Sequence, residues 1–402
     1  MRTTVIGLNY APEPTGIAPY TTAAADGLAA AGTDVTAIAG YPHYPQWHIP
    51  GEYRGLSQKD VVHGTGVLRL RHPVPTDGSL ATRTLMELVF GFRASFRSWS
   101  DADVVLAVTP ALLATAQVVA RARLTRQPVV VWVQDIYTLS AAETGTAAAA
   151  SGLISRVESW TLRNADRVVV IHDRFARFVT SRLGVDPGRV DVVRNWTHLS
   201  GPDPVASRAT RQRLGWADDD TVVLHAGNMG TKQNLESVVR SSQLAAERGS
   251  RVRFVLLGDG HRRKALESMG SNPRLQFIDP LPTAEFASVL ASADILLVNE
   301  LPGMTEMSVP SKLTSYFSTG RPVLAAVDAG SVTAAELAAA GGGVRVTPDD
   351  PGALLDAAEA LAADDELAAH LGACGLKYRR TTLSADTALA ALAASLERAC
   401  KA

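Results

Sequence analysis

Residues from Met307 to Val323 combine a hydroxyl, an ammonium and a proline in an order that suits anion binding. Pro310 suits the first turn of a helix, because it lacks an N–H group that would have no partner there. At such a helix start, the N–H groups of Val309, Ser311 and Lys312 could bind a diphosphate, helped by the hydroxyl and the ammonium. An ordinary capped helix is the alternative, and a Pro-Ser-Lys turn by itself does not exclude it.

Length and composition favour a two-domain protein without a nucleic-acid partner. The chain has 402 residues, and 46% of them are hydrophobic, which is ample for two cores. Its formal net charge of −1 gives no electrostatic basis for binding nucleic acid. The two cysteines, Cys374 and Cys400, form neither a disulfide framework nor a zinc motif. Because we find no signal peptide and no apolar run that could span a bilayer, we expect a cytoplasmic protein.

Strand-like and helical runs alternate along both halves, which predicts an α/β fold with parallel sheets and right-handed crossovers. In the first half we predict strands at 3–8, 34–39, 66–70, 103–107, 128–133, 167–171 and 190–193, and helices at 18–31, 111–122, 153–163 and 173–183. In the second half we predict strands at 221–226, 253–257, 275–278, 293–298, 322–326 and 343–346. The helices predicted there are 235–247, 261–269, 283–292, 310–319, 331–340, 351–362, 366–371 and 385–399.

A polar segment from Trp196 to Arg208, with Gly201, Pro202 and Pro204, separates the halves. We therefore predict an N-terminal domain at residues 1–198 and a second domain at residues 199–380. Two such domains would bring two sets of strand carboxyl ends together across a cleft, which is where ligands bind in α/β folds.

Glycines follow three of the predicted strands. Gly16 follows the first, Gly227 and Gly230 follow the strand at 221–226, and Gly258 follows the next one. Their shared position at strand ends favours close approach of a phosphate, although each glycine alone could be a simple turn former. None belongs to a Gly-x-Gly-x-x-Gly motif, so a dinucleotide dehydrogenase is weakly supported.

A set of short motifs, in order over nearly the whole chain, resembles the GT-B glycosyltransferases of family 4, a large retaining family. The set is most similar to the subgroup of the colanic-acid and L-fucosamine transferases. The motifs are Asn9 to Tyr20, Tyr41 to Pro45, Arg71 to Pro75, Gln134-Asp135, Arg194 to Trp196, Ala226 to Gln233, Gly258 to Gly260, Val309 to Lys312 and Gly320 to Val323. Each motif is weak alone, whereas the ordered set is specific.

The resemblance implies two Rossmann-like domains whose parallel sheets face each other across a cleft, with a final helix in 381–402 that crosses back to the first domain. It implies a UDP- or GDP-linked sugar as donor, held mainly by the second domain. The acceptor would be a glycan, a lipid-linked sugar or a natural product. A donor phosphate oxygen would take the acceptor's proton, so the resemblance implies transfer with retention and without a metal or another cofactor.

On this resemblance, the second domain supplies most donor contacts. Lys232 would stabilise negative charge on the leaving diphosphate, and Ser311 and Lys312 would cover the same group. The remaining donor-binding positions are Gly16, Asn228, Gly230, Val309, Pro310 and Ser315. A solvated lysine at a helix start is the alternative for Lys232 and for Lys312.

The first domain would supply the acceptor contacts. Asp135 ends an apolar strand, and we interpret it, together with Lys232, as catalytic: it could bind the acceptor and handle its proton. A helix or turn cap is the alternative for this carboxylate. Gln134 could only hydrogen-bond the sugar. The other acceptor-binding candidates are Tyr10, Glu13 and His43, and for His43 a structural role is the simpler interpretation.

The sequence departs from family 4 at two glutamates, whose positions align here with Met307 and Ser315. Glu306 adjoins the first position and could replace that glutamate. Ser315 could make only a weaker contact with the nucleotide ribose. The departure favours a binding or activating partner without catalysis as one alternative, although the intact Gly16, Lys232 and Ser311-Lys312 argue against it. A sugar-nucleotide epimerase is a third interpretation.

The segment from Leu80 to Trp99 is apolar but carries Arg83, Arg93 and Arg97. Such a helix could rest on the inner face of a membrane and receive a lipid-linked acceptor. A core helix with arginines on its outer face is the alternative.

Overall fold

The computed structural model describes residues 1–14, 16–75, 80–99, 101–139, 148–196, 204–304 and 311–401. The chain divides into two compact units, of which the first comprises Met1–Arg194 and Asp386–Ala402, and the second Asn195–Ala385. Each unit contains a wholly or mainly parallel sheet whose strands are joined by helices, so the predicted α/β class is confirmed.

The first unit is built on an eight-stranded sheet of order β3-β4-β2-β1-β5-β6-β7-β8. Its strands are β1 (Arg2–Gly7), β2 (Asp34–Gly40), β3 (Ser57–Val62), β4 (Thr65–Leu70), β5 (Val104–Val108), β6 (Val129–Val133), β7 (Arg167–Val170) and β8 (Val190–Val192). Its helices are α1 (Ala18–Ala30), α2 (Leu80–Ser95), α3 (Leu112–Thr125), α4 (Ala148–Arg163) and α5 (Asp173–Ser181). The central strands β5 and β6 are buried along their whole length, as their unbroken apolar sequences require.

One strand of this sheet was not predicted. β3 pairs with β4 in the antiparallel direction and forms the edge of the sheet. Its residues alternate between exposed and half-buried, and its centre is Gln58-Lys59-Asp60. A polar edge strand lacks the apolar run by which the other strands were predicted.

The second unit contains a six-stranded, wholly parallel sheet of order β11-β10-β9-β12-β13-β14. Its strands are β9 (Thr221–Ala226), β10 (Val252–Leu257), β11 (Leu275–Ile278), β12 (Ile295–Asn299), β13 (Val323–Ala326) and β14 (Gly343–Val346). Its helices are α6 (Pro204–Leu214), α7 (Leu235–Glu247), α8 (Arg263–Ser268), α9 (Thr283–Ser292), α10 (Ser311–Phe317), α11 (Val332–Ala340), α12 (Pro351–Ala363) and α13 (Asp365–Thr381).

Two helices of this unit differ from the prediction. α6 begins inside the predicted linker, and its Arg211 bonds the Asp294 carboxylate at 2.9 Å, so tertiary contacts hold a helix that its polar sequence does not suggest. α13 runs ten residues past the predicted end at 371, through Gly372 and Gly375. A Cβ at Gly372 would lie 1.9 Å from the Gly320 carbonyl oxygen, so this glycine permits close packing and does not end the helix.

The last helix, α14 (Ala385–Cys400), packs on the first unit. Ser395 Oγ donates to Asp191 at 2.6 Å, and the guanidinium groups of Arg398 and Arg167 approach the same carboxylate to 2.8 and 2.7 Å. Burial alone would raise the pKa of Asp191, but these donors lower it below its usual value. One charged residue of β8 therefore fastens the end of the chain to the first sheet.

Candidate functional site

Two loops at the carboxyl ends of β9 and β10 are packed backbone against backbone. The Gly227 N–H donates to Leu257 O and the Met229 N–H to Asp259 O, both at 2.8 Å. Gly258 has a φ of +132°, and a Cβ there would lie 2.1 Å from the Gly227 carbonyl oxygen. Gly258, one of the glycines predicted at strand ends, therefore has a local structural reason, which is the close approach of the two loops.

Lys312, in the first turn of α10, extends over this pair of loops. Its Cε would lie 3.0 Å from a Cβ at Gly227, which means that the glycine leaves room for the lysine stem. Its Nζ is 3.4 Å from Nε2 of His225, a residue near the end of β9 that is wholly buried. The side chain predicted to contact a diphosphate thus places its ammonium at the carboxyl end of the central strand of the sheet.

The surroundings of Lys312 disfavour its positive charge. Burial lowers the pKa of Lys312 to about 8, although the Glu300 carboxylate opposes this shift. Burial, and then the charge of Lys312, hold the pKa of His225 well below its usual value. His225 is therefore neutral, and with its proton on Nδ1 its Nε2 can accept a hydrogen bond from the ammonium. Glu300 is itself fixed by the Thr333 hydroxyl, which donates to it at 2.5 Å.

Lys232 lies in a short 3₁₀ turn, Thr231–Gln233, just after the β9 loop. Its carbonyl accepts the Leu301 N–H at 2.8 Å, and Asn299 Nδ2 donates to the Gln233 carbonyl at 2.8 Å. These bonds fasten the turn to the segment that follows β12. The Lys232 side chain is exposed, as is that of Asn228 in the preceding loop.

Other donor-binding predictions fare differently. The Gly230 N–H donates a hydrogen bond to the Gln233 side chain at 3.0 Å, so this amide is already used within its own loop. Ser315 is half-buried and follows Lys312 by three residues on α10, on adjacent positions of one helix face. Ser311 begins α10. Val309 and Pro310, like Glu306 and Met307, lie outside the described residues, so their roles stay predictions.

In the first unit, Glu13 organises the loops that follow β1 and β2. One carboxylate oxygen accepts the N–H groups of His43 and Tyr44 at 2.8 and 3.0 Å, and the other accepts Asn9 Nδ2 at 2.8 Å. The His43 ring lies 3.2 Å from the same carboxylate. Burial alone would raise the pKa of Glu13, but the hydrogen bonds from His43 and Tyr44 lower it.

The acceptor-binding candidates of this loop pair are therefore largely internal. Glu13, His43 and Tyr10 are 5%, 3% and 2% exposed, respectively. In this structure their side chains shape the loops, and an acceptor could reach them only after the loops move. Gly16 is exposed, with a φ of +67°, and a Cβ there would lie 3.5 Å from the Tyr44 ring. Its left-handed backbone is the kind that a glycine adopts without strain.

Asp135 and Gln134 follow β6 and point to different surroundings. Asp135 is exposed at the carboxyl end of the strand, whereas Gln134 is 6% exposed and its N–H donates to Thr109 Oγ1 at 2.9 Å. The next helical turn is capped by Glu158 of α4, which accepts the Tyr137 and Thr138 N–H groups at 2.7 and 2.9 Å. Glu158 thus fixes the backbone just after Asp135, and the catalytic role of Asp135 stays a prediction.

Three residues of the second-unit site were missed. His225, Glu300 and Asn299 are buried polar residues at the ends of β9 and β12. The signal for each was a polar residue closing an apolar strand, the same pattern that singled out Asp135. Within the described residues, no three His, Cys, Asp or Glu side chains group closely enough to hold a metal ion. No helix in the described ranges has the length and hydropathy that a bilayer crossing requires.

Comparisons with known proteins cover both units. Residues 15–196 match the family model described as glycosyl transferase 4-like domain, and residues 220–364 match the one described as glycosyl transferases group 1. The chain is 28% identical over 336 residues to the colanic acid biosynthesis glycosyl transferase WcaI of Escherichia coli, covering 80% of this chain and 82% of that protein. It is also 28% identical to the glycosyltransferase WbjE of Pseudomonas aeruginosa, over 71% of this chain and 73% of the relative.

Solved structures show the same fold at low sequence identity. The crystal structure of Anabaena HepE in complex with UDP superposes with a TM-score of 0.72 at 16% identity, covering 99% of this chain and 100% of that one. Sucrose-phosphate synthase from Thermosynechococcus elongatus superposes with a TM-score of 0.73, also at 16% identity, over 98% and 97% of the two chains.

Proposed function

Because the chain belongs to the GT-B glycosyltransferases of family 4, we propose that it transfers a hexose, with retention, from a UDP- or GDP-linked sugar to an acceptor hydroxyl. The observation that carries the donor assignment is the Lys312 ammonium beside the buried His225 ring at the end of β9. A cation held in such surroundings interacts strongly with an anion, because little water screens it. HepE binds UDP, which supports a nucleotide diphosphate as the anion.

In the proposed reaction, the acceptor oxygen bonds to the anomeric carbon as the bond from that carbon to the diphosphate oxygen breaks. The acceptor's proton passes to an oxygen of the leaving diphosphate. Lys312, and Lys232 on the neighbouring turn, stabilise the charge that develops on the diphosphate. Two ammonium groups can supply the neutralisation that a metal gives in other transferases, so we propose that transfer is independent of a metal.

On the acceptor side, we propose that the exposed Asp135 carboxylate binds the acceptor hydroxyl, with Gln134 behind it. α2 buries Met86, Phe90 and Ala94 and so is partly a core helix. Its opposite side leaves Phe92 and the adjoining Phe96 58% and 76% exposed. Exposed aromatic side chains on an amphipathic helix suit the inner face of a membrane, so we propose a lipid-linked sugar as acceptor.

The test is a binding and turnover series with purified protein. We expect the wild-type protein to bind UDP or GDP. The Lys312→Ala variant should bind the nucleotide about 10- to 100-fold more weakly, as the loss of a charge-assisted hydrogen bond predicts. The control, Lys264→Ala, replaces an exposed lysine of α8 and should bind like the wild type. The anomeric configuration of the product, read by NMR, tests retention, and turnover in EDTA tests metal independence. A new sugar isomer formed without acceptor would favour an epimerase, and nucleotide binding without turnover would favour a non-catalytic partner.

A further inference from the structure

A groove of about 840 Å³ lies in the first unit, away from the candidate residues of that unit. It is bounded by α4, by the end of α5 and by the 3₁₀ turn Pro187–Arg189. α4 ends just before β7, and the turn just before β8, so the groove is at the amino ends of these strands. Asp135 and the Glu13 loop follow the carboxyl ends of their strands, at the opposite edge of the sheet.

The groove is strongly basic although the chain as a whole is not. Arg156, Arg163 and Arg182 line it, are exposed, and have no carboxylate partner among the described residues. The nearby Asp186 accepts the Gly188 N–H at 2.9 Å and lies 3.9 Å from Arg189. In a chain of net charge −1, three unpaired guanidinium groups around one concavity mark a site for an anion.

Apolar side chains share the helix face with these arginines. Leu153, Arg156, Trp160 and Arg163 follow one another at helical spacing along α4. Leu153 and Trp160 are 63% and 44% exposed. A free anion such as phosphate requires the guanidinium groups only, whereas an alternation of arginines with leucine and tryptophan suits a lipid surface with anionic headgroups.

This face continues across the neighbouring helices. α3 packs between α2 and α4. Of the thirteen large apolar side chains that are exposed in the described chain, seven lie on these three helices or directly at their ends: Leu85, Leu88, Phe92, Phe96, Leu124, Leu153 and Trp160. Their concentration in one layer distinguishes it from ordinary surface, where such side chains are scattered singly.

From the unpaired arginines and the exposed apolar side chains of α4, we propose that this groove binds the phosphate headgroup of an anionic phospholipid, so that the α2–α3–α4 layer lies on a membrane. The proposal goes beyond glycosyl transfer and beyond the contact of α2, since it assigns a headgroup site to α4. It requires neither donor nor acceptor.

The experiment is vesicle sedimentation with the full chain. We expect binding to phosphatidylcholine vesicles that contain phosphatidylglycerol, and much weaker binding to phosphatidylcholine alone. Each basic residue near an anionic surface contributes about fivefold in affinity, so Arg156→Gln with Arg163→Gln should weaken binding about 30-fold. Trp160→Ser should weaken binding to the same vesicles. Arg251→Gln, an exposed arginine of the second unit, is the matched control and should bind like the wild type.

The proposal is overturned if the double arginine variant binds anionic vesicles like the wild type, or if both kinds of vesicle bind equally. Displacement by millimolar glycerol phosphate would also overturn it, because the groove would then recognise a soluble phosphate. Thermal denaturation checks that each variant is folded. Transfer to a soluble acceptor, which needs no membrane, is measured on the same proteins, so a failure of the proposed transfer is seen separately from a failure of lipid binding.

Discussion

Replacing Lys312 by methionine should make the ligand-free protein more stable and the nucleotide complex weaker. Methionine keeps an unbranched stem that fits over Gly227, and it removes the ammonium. Neither the Glu300 carboxylate nor the neutral His225 ring offsets the burial of that charge, since the pKa of Lys312 remains depressed. The substitution therefore separates the stem, which packs, from the charge, which we propose binds the donor.

The size of the expected stabilisation follows from the pKa of Lys312. It lies at about 8 in the folded protein, against an ordinary value of 10.5. With about 1.4 kcal/mol for each pH unit, the charged Lys312 costs the folded protein about 3 kcal/mol at pH 7. Between pH 8 and 10.5 the unfolded chain still holds the proton that the folded protein has released, so wild-type stability rises with pH in this window. The stability advantage of the Lys312→Met variant should consequently fall to about half near pH 9.5.

Two measurements test this reasoning. Urea denaturation of both proteins at neutral pH and near pH 9.5 gives the difference in the free energy of unfolding and its pH dependence. Calorimetric titration with UDP and GDP should show the Lys312→Met variant binding about 10- to 100-fold more weakly. Lys264→Met, on the surface of α8, is the control and should change neither quantity. A variant less stable than the wild type at neutral pH would refute the burial argument, and unchanged nucleotide affinity would refute the donor assignment.

Two further substitutions test the loops that carry the candidate residues. Gly258→Ala should lower the free energy of unfolding by about 3 kcal/mol, because its Cβ would meet the Gly227 carbonyl. The control is Gly270→Ala, at a φ of +107° with no atom within 4 Å of its Cβ, which should lower it by about 1 kcal/mol. Equal losses in urea denaturation would contradict the clash at Gly258. Glu13→Gln should lower the free energy of unfolding by about 2 kcal/mol at neutral pH, because it weakens the bonds to the His43 segment. Since the pKa of Glu13 is lowered in the folded protein, the difference in stability between variant and wild type should vanish as the pH falls through that pKa. A difference in stability that does not depend on pH would contradict the negative charge assigned to Glu13.

Most strands could be predicted because a buried parallel strand is a continuous apolar run. β5 and β6 are of this kind, and their ends in the structure lie within one residue of the predicted ends. β3 and α6 could not be predicted in the same way, since each is polar and is held by partners distant in sequence, β4 in one case and Asp294 in the other. Their existence depends on tertiary contacts, which a local pattern does not contain.

The residue types of the candidate site could be predicted from the sequence, but the burial of its side chains could not. Lys312 could be recognised as a cation at a helix start, but the same sequence fits a solvated lysine. Only the structure shows the stem over Gly227 and the ammonium beside His225. Similarly, the resemblance made Glu13 a candidate for acceptor contact, and the structure shows that its carboxylate accepts three hydrogen bonds from its own unit.

The glycines at 227, 258 and 260 show why a motif alone cannot assign a phosphate site. Close packing of two loops accounts for Gly258 and Gly260, where a Cβ would lie 2.1 Å from the Gly227 carbonyl oxygen and 2.5 Å from the Met229 carbonyl oxygen, respectively. At Gly227 a Cβ would instead meet the Lys312 stem. Loop packing does not account for Lys312, because methionine would fill the same space without the burial of a charge. Strongly perturbed charges cluster at functional sites, so the lysine supports an anionic ligand better than the glycines that surround it.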